Sequence, residues 1–191
     1  MGARQGGSKE ERGGTVRKIS LLGVGIALFV VLSLCLQVPV FENYYLCLGY
    51  AVMMVYCFRF GPAAGAAVGA GGVVIYCLLT SGLRGMPGWT LGNAVIGVLL
   101  GGGLRLCEKI RQRAVRAAAQ LALIVLATAV GILGVKSLTE CLLYAQPFAV
   151  RAAKNMAAFI ADAVMLAVSL PAAAFLDGQN GKTKEHRAVS S

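Results

Sequence analysis

The chain has 191 residues, 58% of them hydrophobic and 14% charged, and a net charge of +10. Soluble domains carry about 25% charged residues, so this composition excludes an ordinary water-soluble core and points to lipid as the surrounding solvent. The basic excess does not indicate a nucleic-acid binder, because Lys and Arg lie between apolar runs and at the two ends.

Residues 1–18 are polar and basic and read as a flexible tail. The first apolar run, 19–38, has the length of a membrane span. It is too long for a cleaved signal and is followed by no A-x-A site. A shorter uncharged run, 43–58, follows Glu42. Residues 62–80 form a third span dense in Gly and Ala, and 89–104 a fourth, opened by the turn-like Arg84-Gly85-Met86-Pro87-Gly88. After a basic connection, 117–135 form a fifth. Glu140 and Pro147 interrupt 136–150, which is expected to be an outer connection with a short interfacial helix. Residues 152–175 form a sixth span, and 177–191 a polar tail.

The expected fold is therefore an all-α membrane protein: a six-helix transmembrane domain over 19–176 between two cytoplasmic tails. With both termini inside, 14 of the 18 basic residues fall on the inner side. Only Arg84, Lys136, Arg151 and Lys154 remain outside, as the positive-inside rule requires.

Several motifs have plain structural readings. Gly178-Gln179-Asn180-Gly181-Lys182-Thr183 ends like a phosphate loop but has Leu176 where the first glycine belongs, so the chain is not expected to hydrolyse ATP itself. Gly61, Gly65 and Gly69, four apart, read as a helix-packing face, and so do Gly23 and Ala27 in the first span. The partner of that second pair could lie inside the chain or in another subunit. The six cysteines are scattered and read as packing residues, with no metal site. The single histidine, His186, stands in the tail, and no catalytic set emerges, so no enzyme and no cofactor are expected.

The informative residues are polar ones toward the outer side. Arg151, Asn155 and Asp162 share one face of the last span. Charge in lipid costs at least about 2.5 kcal/mol, so such residues face a cavity or a partner. Asp162 could bind substrate or pair with another helix. Asn93 lies one turn below Trp89. Tyr44, Trp89 and Tyr144 could belong to an interfacial aromatic belt. The reading preferred here makes them a stacking platform for a flat ligand, with Glu42, Arg84, Asn93 and Asn155 as polar contacts.

The layout resembles the S components of energy-coupling-factor (ECF) transporters. The resemblance covers roughly 19–176 and rests on the basic N-terminal tail, the small pair in the first span and Phe60-Gly61-Pro62-Ala63-Ala64-Gly65-Ala66. It extends to Arg84 through Asn93 and to Lys154-Asn155-Met156-Ala157 with Asp162. It implies a subunit of the prokaryotic cell membrane that captures a vitamin or related micronutrient outside the cell. A transmembrane coupling subunit and two cytoplasmic ATPases would supply the energy, and the loaded protein would topple in the membrane. Gly23 and Ala27 would form the docking face for the coupling subunit. Glu42, Tyr44, Arg84, Trp89, Asn93, Tyr144, Lys154, Asn155 and Asp162, joined by Arg151 from the polar face, would bind substrate. The alternative is a ligand-free membrane scaffold packing through its glycine faces.

Overall fold

The computed structural model describes the backbone of residues 6–35, 37–41, 44–80 and 82–189, and the side chains of 15–35, 47–80 and 82–176. In chain order the elements are α1 (Gly6–Cys35), β1 (Gln37–Phe41), β2 (Tyr44–Cys47), α2 (Gly49–Phe60), α3 (Pro62–Leu79), α4 (Met86–Cys107) and α5 (Arg113–Thr128). A π-helical segment (Ala129–Lys136), α6 (Ser137–Tyr144) and α7 (Phe148–Val189) complete the chain. Among the described residues the architecture is nearly all helical, with one antiparallel hairpin that pairs Gln37 with Cys47 and Val38 with Leu46.

Five helical stretches among the described residues are long and apolar enough to cross a membrane: Thr15–Cys35, Pro62–Leu79, Met86–Cys107, Arg113–Tyr144 and Phe148–Leu176. The second of the six expected spans falls short. The hairpin takes up its beginning, and α2 has only 12 residues. These rise about 18 Å, against a hydrocarbon core of about 30 Å. The helix serves as core instead: Tyr50, Met53, Met54 and Cys57 are fully buried.

The stretch 136–150 also differs from expectation. No outer connection begins at Lys136. One helical rod runs through the π-helical segment into α6 and ends at Ala145, a left-handed residue with φ 48°. Glu140 does not break the rod because Lys136 and Arg151 neutralise it. Pro147 lies just before α7 and accepts the amides of Val150 and Arg151 at its carbonyl, a position where a missing N–H does no harm. Helix α1 starts at Gly6 and α7 runs to Val189. Neither polar stretch contains a proline to stop a helix, so the boundaries of the two tails drawn from composition are not helix ends.

Burial is inverted relative to a soluble protein. Val24, Leu28, Val31, Leu121, Val125, Leu126, Val164 and Val168 are exposed, while Asn93, Glu140, Asn155 and Asp162 are buried. Lipid rewards this arrangement, since apolar surface costs nothing there and polar groups must find partners inside.

Glycines set the helix spacing. Side-chain carbons at Gly97 and Gly101 of α4 would run into the backbone of Gly61, Pro62, Gly65 and Ala66, so α3 and α4 touch backbone to backbone. On another face of α4, Gly92 meets the backbone of Gly131 in the π-helical segment. Cys57 packs against Gly65, and its thiol lies 3.6 Å from the Gly97 carbonyl. These contacts bear out the packing reading of the Gly61–Gly65–Gly69 face.

Gly61 has a further role. It joins α2 to α3 at φ 86° and ψ −165°, a backbone region open essentially to glycine alone. The Arg105 guanidinium covers it and donates to the Phe60 carbonyl at 3.3 Å. Gly61→Ala should therefore cost about 1–3 kcal/mol and lower the thermal midpoint of the detergent-solubilised protein. Gly102→Ala, inside α4, meets nothing within 4 Å and should keep the midpoint or raise it, since Ala favours a helix interior over Gly by up to about 1 kcal/mol. Equal shifts in the two variants would refute this account.

Candidate functional site

The polar side chains gather at the end of the bundle where α4 begins, remote from the Arg105 end. Two connected groups lie there. In the first, the Tyr50 hydroxyl donates to Asp162 Oδ2 at 2.8 Å and accepts from Trp89 Nε1 at 3.0 Å. Helices α2, α4 and α7 are thereby tied through one fully buried phenol. Phe29 meets the Tyr50 ring at an angle of 63°, with centroids 6.0 Å apart. Tyr76 meets Trp89 edge-on, at 5.6 Å and 84°.

The second group is centred on Asn155. Its Oδ1 accepts from Lys136 Nζ at 2.7 Å, and its Nδ2 donates to Ser137 Oγ at 3.0 Å and Glu140 Oε2 at 3.1 Å. Glu140 lies 3.8 Å from both Lys136 and Arg151. The π-helical segment brings Lys136 and Ser137 inward together, and the i,i+4 spacing sets Glu140 on the same side. At the rim of this end, Tyr144 donates to the Arg84 carbonyl, and Arg151 Cζ lies over its ring, 4.7 Å from the ring centroid. The Arg84 guanidinium stands 6.0 Å from the same ring.

Asn93 stands apart from both groups. It is fully buried one turn below Trp89, and neither its side-chain oxygen nor its nitrogen has a hydrogen-bond partner among the described residues. Thr90 Oγ1, beside it on α4, is also unpartnered. The Asn93 backbone carbonyl lies near Gly69, as does the Met53 side chain, so Asn93 stands where α4 packs against α3 with α2 close by, one turn beneath Trp89.

The structure thus brings together Arg84, Tyr144 and Arg151 at the rim, Asn155 behind them, and Trp89 with Asp162 deeper in the bundle. Lys154 is exposed on α7. Glu42 lies outside the described residues, and Tyr44 is placed only by its backbone in β2. Asp162, whose two readings the sequence left open, pairs α7 with α2 through Tyr50. Tyr144 offers its ring to two cations, and Trp89 is held inside the bundle. Gly23 and Ala27 are exposed on α1, and a carbon added at Gly23 would meet nothing within 4 Å.

Sequence reasoning missed four members of these groups: Tyr50, Lys136, Ser137 and Glu140. The Lys136–Glu140 spacing was a usable signal, being a helical pair in a stretch taken for a loop. Tyr50 carried no signal, because one hydroxyl in an apolar run does not reveal a carboxylate on another helix.

Trp89 is the chain's single tryptophan, so its fluorescence reports on the first group. Tyr50→Phe leaves the indole N–H and the Asp162 carboxylate without their partner. It should destabilise the protein by about 1–3 kcal/mol and shift the emission to the blue. Tyr56→Phe removes a hydroxyl bonded to the Leu21 carbonyl and should leave the emission unchanged. Identical spectra for wild type and Tyr50→Phe would contradict the geometry.

Comparison with known proteins agrees with this architecture. A profile of the family described as "ECF-type riboflavin transporter, S component" matches residues 14–173. A UPF0397 protein of Lactococcus lactis subsp. cremoris is 35% identical over 94 residues, 48% of this chain and 50% of the relative. A UPF0397 protein of Streptococcus thermophilus is 28% identical over 87 residues, 46% of this chain and 48% of the relative. The chain spans about half the length of the curated relatives it matches. The family is one of transporter components rather than enzymes, and these relatives are bacterial. With its five long apolar helices and its polar groups turned inward, the chain is a multi-pass membrane protein and belongs to the family of S components of ECF-type riboflavin transporters.

Proposed function

We propose that this subunit captures a flat, polar, vitamin-like heterocycle from outside the cell and delivers it for ATP-driven uptake. The observation that carries the reading is Asn93. A buried amide with no partner costs roughly 1–3 kcal/mol per unsatisfied group, and more where lipid replaces water around the bundle. A chain that retains such a cost gains something by it. A heterocycle edge bearing one donor and one acceptor would satisfy the amide, and Thr90 adds a third contact. Trp89 and Tyr76 directly above would supply aromatic surface. Riboflavin is the first candidate, on the description of the matching family.

The orientation proposed puts Arg84, Tyr144 and Arg151 outside and Lys18, Arg59 and Arg105 inside, following the distribution of basic residues. Both termini are then cytoplasmic. The energy comes from partners, a coupling subunit in the membrane and two ATPases. The exposed small pair Gly23 and Ala27 is the face offered to the coupling subunit. A ligand-free scaffold would also expose this face, but it would have no use for an orphan amide beneath an aromatic layer.

Mass spectrometry of small molecules retained by the purified chain, with riboflavin titration followed by flavin fluorescence, tests the reading. An aromatic heterocycle absent from the blank is expected. Asn93→Leu should weaken its binding at least about tenfold while thermal stability is kept or raised, since an unsatisfied group has been removed. A purely structural Asn93 would instead give a destabilised protein with unchanged binding. In the full transporter, Gly23→Trp or Ala27→Trp should abolish ATP-driven uptake without altering ligand binding. Normal uptake by both variants would sink the docking assignment.

A further inference from the structure

The rim of the polar cluster carries more positive charge than its own carboxylates neutralise. Arg84, Lys136 and Arg151 bring three cations, while the group described above holds two carboxylates, Glu140 and Asp162. Glu140 is shared: one oxygen faces Lys136, the other faces Arg151 and also accepts from Asn155. Asp162 is engaged by the Tyr50 hydroxyl. Arg84 meets the Tyr144 ring and no carboxylate among the described residues. Arg151 Nε is buried without an acceptor among the described residues. Two guanidinium groups thus converge on one aromatic ring, at 6.0 and 4.7 Å from its centroid. The bond from the Tyr144 hydroxyl to the Arg84 carbonyl fixes the connection that carries one of them.

Like charges are not gathered in this way without a reason. The ring quadrupole attracts each cation but does not neutralise it. Planar guanidinium groups match the paired oxygens of phosphate and carboxylate; Arg151 is half-buried, and Arg84 stands exposed at the rim. We propose that Arg84 and Arg151 form an oxyanion clamp across Tyr144, and that the substrate carries an acidic group held there while its ring descends toward Trp89 and Asn93. This rests on the outer-site reading given above and revises its first candidate: a heterocycle bearing a phosphate or a carboxylate is preferred here to neutral riboflavin itself.

Phenylglyoxal modification of the full-length protein in detergent, resolved by peptide mass spectrometry, tests the clamp without knowledge of the substrate. Phenyl phosphate or benzoate should slow modification of Arg84 and Arg151 at least about threefold, and the stronger of the two names the acidic group. Benzyl alcohol should protect neither residue, and Arg105 at the opposite end should react at the same rate throughout. Arg84→Gln should remove the protection of Arg151, and Arg84→Lys should restore part of it. Equal rates with and without the anions, or equal protection of Arg105, overturn the clamp. Protection supplied by phosphatidylcholine alone, with no further effect of the anions, overturns it in favour of a lipid headgroup. Riboflavin binding measured in parallel separates the two claims. Normal binding without anion protection removes the clamp alone, whereas protection without any heterocycle binding supports the clamp and removes the vitamin reading.

Discussion

A carboxylate inside a bundle surrounded by lipid has no water to turn to, and much of this fold follows from meeting that need twice. Asp162 accepts from Tyr50, which in turn accepts from Trp89. Glu140 lies between Lys136 and Arg151 and accepts from Asn155. The first arrangement fixes α2 and α4 against α7, and the second fixes α6 against α7. Removing one partner from such a pair leaves an uncompensated charge, which costs far more than the pair itself contributes. These groups therefore act more as constraints on how the helices meet than as sources of net stability.

Close backbone approach makes such short polar reach available. Apolar bulk between α3 and α4 would push the helices apart, and the glycines at 65, 97 and 101 remove it. Lipid supplies no hydrophobic force between spans, so dispersion contacts over these small residues hold the bundle together. α2, too short to span, fills the interior with Tyr50, Met53 and Met54, and it thereby puts the Tyr50 hydroxyl within reach of α7. The same packing buries Asn93 with no partner among the described residues, so the tightness of the bundle and the capacity of the proposed site have one origin.

Much of the membrane layout was legible in the sequence. Long apolar runs, glycine at four-residue spacing and polar residues on one face of the last span are local patterns, and each reappears in the structure. Two stretches misled for physical reasons. The run 43–58 was apolar enough to span, but a hairpin takes part of it, and strand and helix compete for Tyr44-Tyr45-Leu46 with little local difference. The charge at Glu140 suggested an exit from the membrane because its neutralising partners lie on another helix and on a helical turn not expected there. Of the candidate site, Arg84, Trp89, Asn93, Tyr144, Arg151, Asn155 and Asp162 were identified by type and depth alone, whereas their pairings were not.

By itself the sequence determined the solvent of this protein and the polar face of its last span, because hydropathy and helical periodicity are properties of a single segment. Which polar groups satisfy one another and which remain unpartnered was decided only by the tertiary structure. A hydrogen bond such as that from Tyr50 to Asp162 joins positions 112 residues apart, and no local pattern encodes a distance of a few ångströms between separate helices.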